Sequence, residues 1–142
     1  MKIRIFSKQT FIKAMESRDI NDSNVEKFDE YFICINASAG PDAEAYFKQT
    51  HNNVINTAFD DCEVDETKWG KDINAYYHAK AMVREQADQI TSFIKQIPDN
   101  STINIYCTKG LSRSVAVASF LSGSNEGNKH VLKLLNESWT GK

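Results

Sequence analysis

The residues best suited to chemistry lie at positions 107–114, with the sequence Cys-Thr-Lys-Gly-Leu-Ser-Arg-Ser. A cysteine thiolate is a strong nucleophile. The guanidinium of Arg113, six residues after Cys107, can donate two parallel hydrogen bonds to a phosphoryl group, which a lysine cannot do. Gly110 allows the intervening loop to curl tightly. This combination predicts an oxyanion-binding site with a nucleophilic sulfur at its base.

The segments on either side of this loop predict how it is held. Residues 102–106 read as a short buried strand, and residues 113–121 as a small, apolar, buried helix. A loop that runs into a helix start directs several backbone N–H groups at one point, and the helix dipole adds positive potential. The same field should lower the pKa of Cys107, and Ser114 can hydrogen-bond the sulfur and help it leave. The phosphate is predicted to bind Thr108, Lys109, Gly110, Leu111, Ser112 and Arg113.

Apolar periodicity elsewhere predicts the elements that position the loop. Further strands are predicted at residues 2–6, 31–36 and 53–59. Further helices are predicted at residues 9–16, capped by Ser7, and at residues 72–97 and 128–137. Strands separated by helices predict an α/β fold. We expect one domain over residues 1–142, with a central, mostly parallel sheet of about four to five strands and helices on both faces.

Composition narrows the class of protein. The chain has 142 residues, of which 41% are hydrophobic and 25% charged, as in a single globular domain. Its formal net charge of −2 gives no reason to expect nucleic acid as a partner. No apolar run approaches the roughly 20 residues of a membrane span, and the N-terminal apolar stretch is too short for a secretory signal. We therefore expect a cytoplasmic protein, a monomer without membrane association.

The cysteine pattern bears on metal sites and redox state. Cys34, Cys62 and Cys107 make an odd number, and no pair has the spacing CxxC. The three histidines lie far from them in sequence. We therefore expect reduced thiols, no metal site and no cofactor.

Residues 107–114 resemble the CxxGxxR[ST] loop of the protein tyrosine phosphatase superfamily, and most closely its compact dual-specificity-like branch with small bacterial and phage members. Residues 32–38, FICINAS, are similar to the family's LNxS strand. The resemblance implies a phosphatase fold of the Cys-x5-Arg type and hydrolysis of phosphomonoesters through a phosphocysteine. The implied substrates are phosphorylated proteins or small phosphoesters. The chain departs from the family at Tyr106, where histidine is usual.

The resemblance also implies a general acid. The family carries an aspartate on a loop after an earlier strand, and Phe59-Asp60-Asp61 resembles the end of that loop. Asp61 is the first choice, followed by Asp60 and then Asp65. Repulsion between adjacent carboxylates can raise the pKa of one of them. An ordinary acidic surface loop is the competing interpretation, and the 46-residue separation of Asp61 from Cys107 is longer than the family's usual spacing.

Other functions are compatible with the same loop. Related folds act on RNA 5′-phosphates or inositol phosphates, and Lys109 suits such highly charged substrates. A catalytically weak, phosphate-binding pseudophosphatase would keep the loop without the chemistry, and Tyr106 is compatible with that alternative. A rhodanese-like sulfurtransferase also places a cysteine at a strand end, but the Cys-x5-Arg-Ser pattern argues against it.

Overall fold

A computed structural model of the chain describes residues 1–62 and 79–141. In that part of the chain four strands form one parallel sheet, in the order β1-β4-β2-β3. The predicted α/β class and the parallel sheet are therefore confirmed. The strands are β1 (Lys2–Ser7), β2 (Glu30–Asn36), β3 (Val54–Ala58) and β4 (Thr102–Cys107).

The described residues also form four α-helices. These are α1 (Lys8–Ser17), α2 (Arg84–Lys95), α3 (Arg113–Ser122) and α4 (Lys129–Thr140). The predicted cap of the first helix is confirmed, because the hydroxyl oxygen of Ser7 accepts a hydrogen bond from the Thr10 backbone N–H at 3.1 Å. Short 3₁₀ helices occur at Val25–Lys27 and Pro41–Ala43. None of the described helices is long and apolar enough to cross a membrane.

Alternation along the central strands divides the core into two clusters, one on each face of the sheet. On one face Phe32 and Cys34 of β2 and Tyr106 of β4 pack with Phe11 and Met15 of α1. On the other face the neighbouring strand residues pack with α2, α3 and α4; the strand residues are Ile33, Ile35, Ile103 and Ile105. Both faces are therefore covered by helices, and β4 runs through the middle of the core.

The helix predicted over residues 72–97 is wrong in its extent. Its first residues lie outside the described part of the chain, and residues 79–83 are not helical. Instead, the backbone N–H of Lys80 donates to Asp60 Oδ2 at 2.8 Å, and the Lys80 carbonyl accepts from the Asp60 N–H at 2.7 Å. The side chain of Gln86 then accepts from the Val83 N–H at 3.0 Å, which favours a helix start at Arg84. Tertiary contacts thus override an apolar spacing that suits a longer helix.

Candidate active site

The candidate loop predicted from the sequence connects the end of β4 to the start of α3. Because β4 is flanked by β1 and β2, this loop leaves the carboxyl edge of the sheet between two neighbouring strands. The backbone N–H of Lys8 donates to the Thr108 carbonyl at 3.2 Å. The loop is thereby tied to the junction of β1 and α1.

Gly110 is required by two features of this loop. Its φ is +70°, in the left-handed region. A Cβ added there would lie 2.6 Å from the backbone nitrogen of Ser7 and 2.7 Å from the carbonyl carbon of Phe6. Only glycine allows the loop to approach the end of β1 so closely, which gives a structural reason for the glycine in the sequence pattern.

Cys107 is 2% exposed, and its surroundings favour the thiolate. Burial opposes the charged form, but the Ser114 side chain, the backbone N–H groups of Ser114 and Gly110, and the charge of Arg113 together lower the pKa of Cys107. The sulfur lies 3.1 Å from Ser114 Oγ. The three neighbours that lower the pKa all lie in or beside the same loop.

Arg113 is 6% exposed, and its guanidinium is held from one side. Its Nη1 donates to the Phe59 carbonyl at 2.7 Å, which ties the first residue of α3 to the segment after β3. Its Nε is buried and has no hydrogen-bond partner. A buried, charged donor without an acceptor is costly. Because Arg113 also lines the adjoining pocket, an anion bound there would lie beside this charged side chain.

The pocket has a volume of about 410 Å³ and opens above Cys107. Its lining brings together the predicted nucleophile Cys107, the preferred candidate acid Asp61, and five of the six predicted phosphate-binding residues, Arg113 among them. Leu111 lies at the rim and is 75% exposed. The lining residues are Ala37, Asp42, Asp61, Cys107, Thr108, Lys109, Leu111, Ser112 and Arg113. Gly110 and Ser114 contribute through their contacts with Cys107 rather than as lining.

Asp61 and Asp60 have different environments although they are adjacent. Asp61 lines the pocket, and its Oδ1 accepts from Ser112 Oγ at 2.7 Å and from Asn128 Nδ2 at 2.8 Å. Asp60 instead accepts from the backbone and side chain of Ser38, at 3.0 and 2.5 Å, and from the Lys80 N–H. Burial opposes its ionised form, but these hydrogen bonds lower its pKa. Asp61 therefore lies in the lining of the pocket, whereas Asp60 joins the segment after β3 to Ser38 and Lys80.

Three features of the site have no counterpart in the sequence-based prediction. Asp42 reaches the pocket from the segment after β2, Phe59 contributes only a carbonyl, and Asn128 reaches Asp61 from the N-cap of α4. The position of Asn128 before a helix was a usable signal for capping, but no spacing links it to Asp61, 67 residues away. Asp65, the third-choice acid, lies outside the described residues.

The usual histidine position of the resembled family is occupied by a fully buried tyrosine. Tyr106 donates its hydroxyl to Asn36 Oδ1 at 2.5 Å, and its ring packs on Phe11 with centroids 4.6 Å apart. Burial raises the pKa of Tyr106, so its hydroxyl stays neutral at physiological pH. Tyr106 therefore links β4 to β2 beneath the loop.

No protein-family model matches the chain, and comparisons with curated proteins and with solved structures likewise find no match. The described residues contain no group of three or more His, Cys, Asp or Glu side chains placed to hold a metal ion. The resemblance of residues 107–114 and the geometry of the pocket are therefore the two independent grounds for a functional assignment.

Proposed function

We propose that this protein hydrolyses phosphate monoesters through a phosphocysteine intermediate, as a cysteine-dependent phosphatase of the tyrosine and dual-specificity type. The observation that carries the proposal is the pairing of a cysteine of lowered pKa with a buried, unpartnered Arg113 Nε beside one pocket. An ordinary buried cysteine would have a raised pKa, and an ordinary buried arginine would have its donors satisfied.

In the first step the Cys107 thiolate attacks the phosphorus of the bound ester. The sulfur–phosphorus bond forms as the bond between phosphorus and the ester oxygen breaks. The departing oxygen takes a proton from the Asp61 carboxyl and leaves as an alcohol or phenol. Arg113 and the loop N–H groups stabilise the charge on the phosphoryl oxygens during the transfer.

In the second step a water molecule attacks the phosphorus of the phosphocysteine. The new oxygen–phosphorus bond forms as the sulfur–phosphorus bond breaks, and the water proton passes to the Asp61 carboxylate. The Ser114 hydroxyl, 3.1 Å from the sulfur, donates to the departing thiolate. Inorganic phosphate is released, and both Cys107 and Asp61 return to their starting protonation states.

The pocket lining supports a phosphoprotein or small phosphoester as substrate rather than a polyanion. Lys109 and Arg113 bring positive charge, but Asp42 lies in the same lining. Extra phosphates, as on an inositol polyphosphate or an RNA end, would approach the negative charge of Asp42. The exposed Leu111 at the rim suits contact with the ring of a phosphotyrosine.

The test is hydrolysis of p-nitrophenyl phosphate near pH 6 under reducing conditions, followed by acid quenching and mass analysis of the intact chain. We expect turnover by the wild type and a transient phosphate adduct on Cys107. In Ser114→Ala the adduct should accumulate, because the departing thiolate loses a donor, while its formation is less affected. A protein that binds phosphotyrosine peptides but shows neither turnover nor adduct is a phosphate-binding pseudophosphatase, and the proposal fails.

A further inference from the structure

The two carboxylate oxygens of Asp61 differ in the hydrogen bonds that they accept. Both hydrogen bonds that it accepts, from Ser112 Oγ and from Asn128 Nδ2, end on Oδ1. No hydrogen bond from the described residues reaches Oδ2. A protonated carboxyl group in this setting keeps its carbonyl character at Oδ1, which can accept two donors, and carries its proton on Oδ2.

The orientation of the Asn128 side-chain amide is fixed by a hydrogen bond in which donor and acceptor cannot be interchanged. Its Oδ1 accepts from the backbone N–H of Val131 at 3.0 Å, as the N-cap of α4. A backbone N–H can only donate, so the amide oxygen must face Val131 and the amide nitrogen must face Asp61. The same Nδ2 lies 3.2 Å from the Cys62 carbonyl, and the residue is 2% exposed. The donor is therefore fixed toward the acid.

The backbone around Asn128 is locked to the phosphate-binding loop. Its N–H donates to the Ser112 carbonyl at 3.2 Å. Gly127, with φ +86°, approaches so closely that an added Cβ would lie 2.4 Å from the Ala116 nitrogen and 2.6 Å from the Ser112 oxygen. The start of α4, the start of α3 and the acid are thereby connected through adjacent contacts.

We propose that Asn128 is a positioning residue for general-acid catalysis, acting through Asp61. It holds Oδ1 as the accepting oxygen, so that the proton on Oδ2 is presented to the ester oxygen that leaves. Asn128 does not touch substrate. This inference rests on the proposed function and adds a residue to its machinery.

The experiment compares kcat/KM for phenyl phosphate and p-nitrophenyl phosphate in wild type and Asn128→Ser. Phenol is a poor leaving group that needs the proton, whereas p-nitrophenol leaves readily without it. Serine retains an N-cap oxygen but lacks the amide donor. We expect Asn128→Ser to lower kcat/KM for phenyl phosphate about tenfold, the worth of one hydrogen bond, and for p-nitrophenyl phosphate less than about twofold.

Two controls separate positioning from general damage. Asn136→Ser makes the same substitution at an exposed position of α4 and should leave both rates unchanged. In an Asp61→Asn background, Asn128→Ser should have no further effect on the ratio of the two rates. Thermal unfolding of each variant reports the fold, and Asn128→Thr, which also caps, replaces the serine variant if that variant does not fold.

Equal losses with both substrates, or a loss that persists undiminished in the Asp61→Asn background, would mean that Asn128 is merely structural and would overturn the inference. The proposed function would survive that result, because Asp61→Asn would still change the leaving-group dependence. Absence of wild-type turnover with either substrate would instead overturn both proposals.

Discussion

Cys34 and Cys107 lie on adjacent strands and are almost equally buried, with 0% and 2% of their surface exposed. Their thiols nevertheless have opposite tendencies: burial raises the pKa of Cys34, whereas the pKa of Cys107 is lowered despite burial. Cys34 lies within β2 and packs with the aromatic cluster beneath α1. Cys107 is the last residue of β4, where loop N–H groups are no longer committed to the sheet and can face the sulfur.

The comparison shows that burial alone does not decide the chemistry of a cysteine. Charge stabilisation at Cys107 comes from the Ser114 hydroxyl, two backbone N–H groups and Arg113. For Cys34 the charge of Lys8 works in the same direction but does not offset desolvation. A strand end followed by a helix start supplies the donors that a strand interior lacks.

The largest expected effect on activity comes from substituting each of the two cysteines in turn. Cys107→Ser should lower phosphatase turnover by on the order of 10⁵-fold, as for other deleted nucleophiles. Cys34→Ala should leave kcat within about twofold and lower the free energy of unfolding by about 1 kcal/mol, for the small cavity. Steady-state hydrolysis and denaturant unfolding measure the two results. Retained activity in Cys107→Ser would remove the distinction between the cysteines.

Alkylation by iodoacetamide should separate the two thiols by on the order of 10³-fold or more in rate, because Cys34 reacts only through large-scale opening of the fold. The rate at Cys107 should follow its thiolate fraction. Because its pKa in the folded protein is lowered, the thiolate persists below the ordinary midpoint of about 8.5 and is lost only as pH falls through the lowered pKa.

Peptide mapping of the alkylated protein at several pH values measures this contrast. Cys62 serves as an internal reference, because partial burial and nearby Asp60 and Asp61 raise its pKa. Its rate should still be rising at pH values where that of Cys107 has levelled off. A Cys107 midpoint at or above that of Cys62 contradicts the comparison.

Arg113→Lys tests how much the guanidinium of Arg113 contributes to the difference between Cys107 and Cys34. Lysine keeps a positive charge but cannot hold both the Phe59 carbonyl and a phosphoryl group in a planar, bidentate geometry. We expect kcat/KM for p-nitrophenyl phosphate to fall about 10²-fold. Lys133→Arg makes the reverse substitution at a distant, exposed position and serves as the control. It should leave kcat/KM unchanged. A loss of less than threefold in Arg113→Lys argues against phosphate binding by the guanidinium.

The smallest effect on the reactivity of Cys107 is expected from substituting Tyr106. This residue pairs with Cys34 across the sheet and precedes Cys107 in the chain. Tyr106→Phe leaves Asn36 Oδ1 without its buried donor, so the free energy of unfolding should fall by about 1–3 kcal/mol. The pH dependence of Cys107 alkylation should stay nearly unchanged, because the hydroxyl faces Asn36. A marked rise in the pH midpoint would show that Tyr106 also supports the thiolate.

Much of the fold followed from local patterns. The four strand positions, the helix after Cys107 and the Ser7 cap could be predicted because short apolar runs and a capping residue have few alternative structures. The start of α2 could not, since the contact of Asp60 with the Lys80 backbone competes with helix formation and joins residues 20 positions apart. Apolar spacing carries no information about such a contact.

The sequence by itself brought together the proposed nucleophile, the arginine and the glycine of the candidate site, because residues within one tight loop must be neighbours in space. It left the acid open among Asp60, Asp61 and Asp65. Only the tertiary structure separated Asp61, which lines the pocket, from Asp60, which holds Ser38 and Lys80. Only the tertiary structure brought Asn128 to Asp61, because long-range proximity is set by how the helices pack on the sheet and not by spacing along the chain.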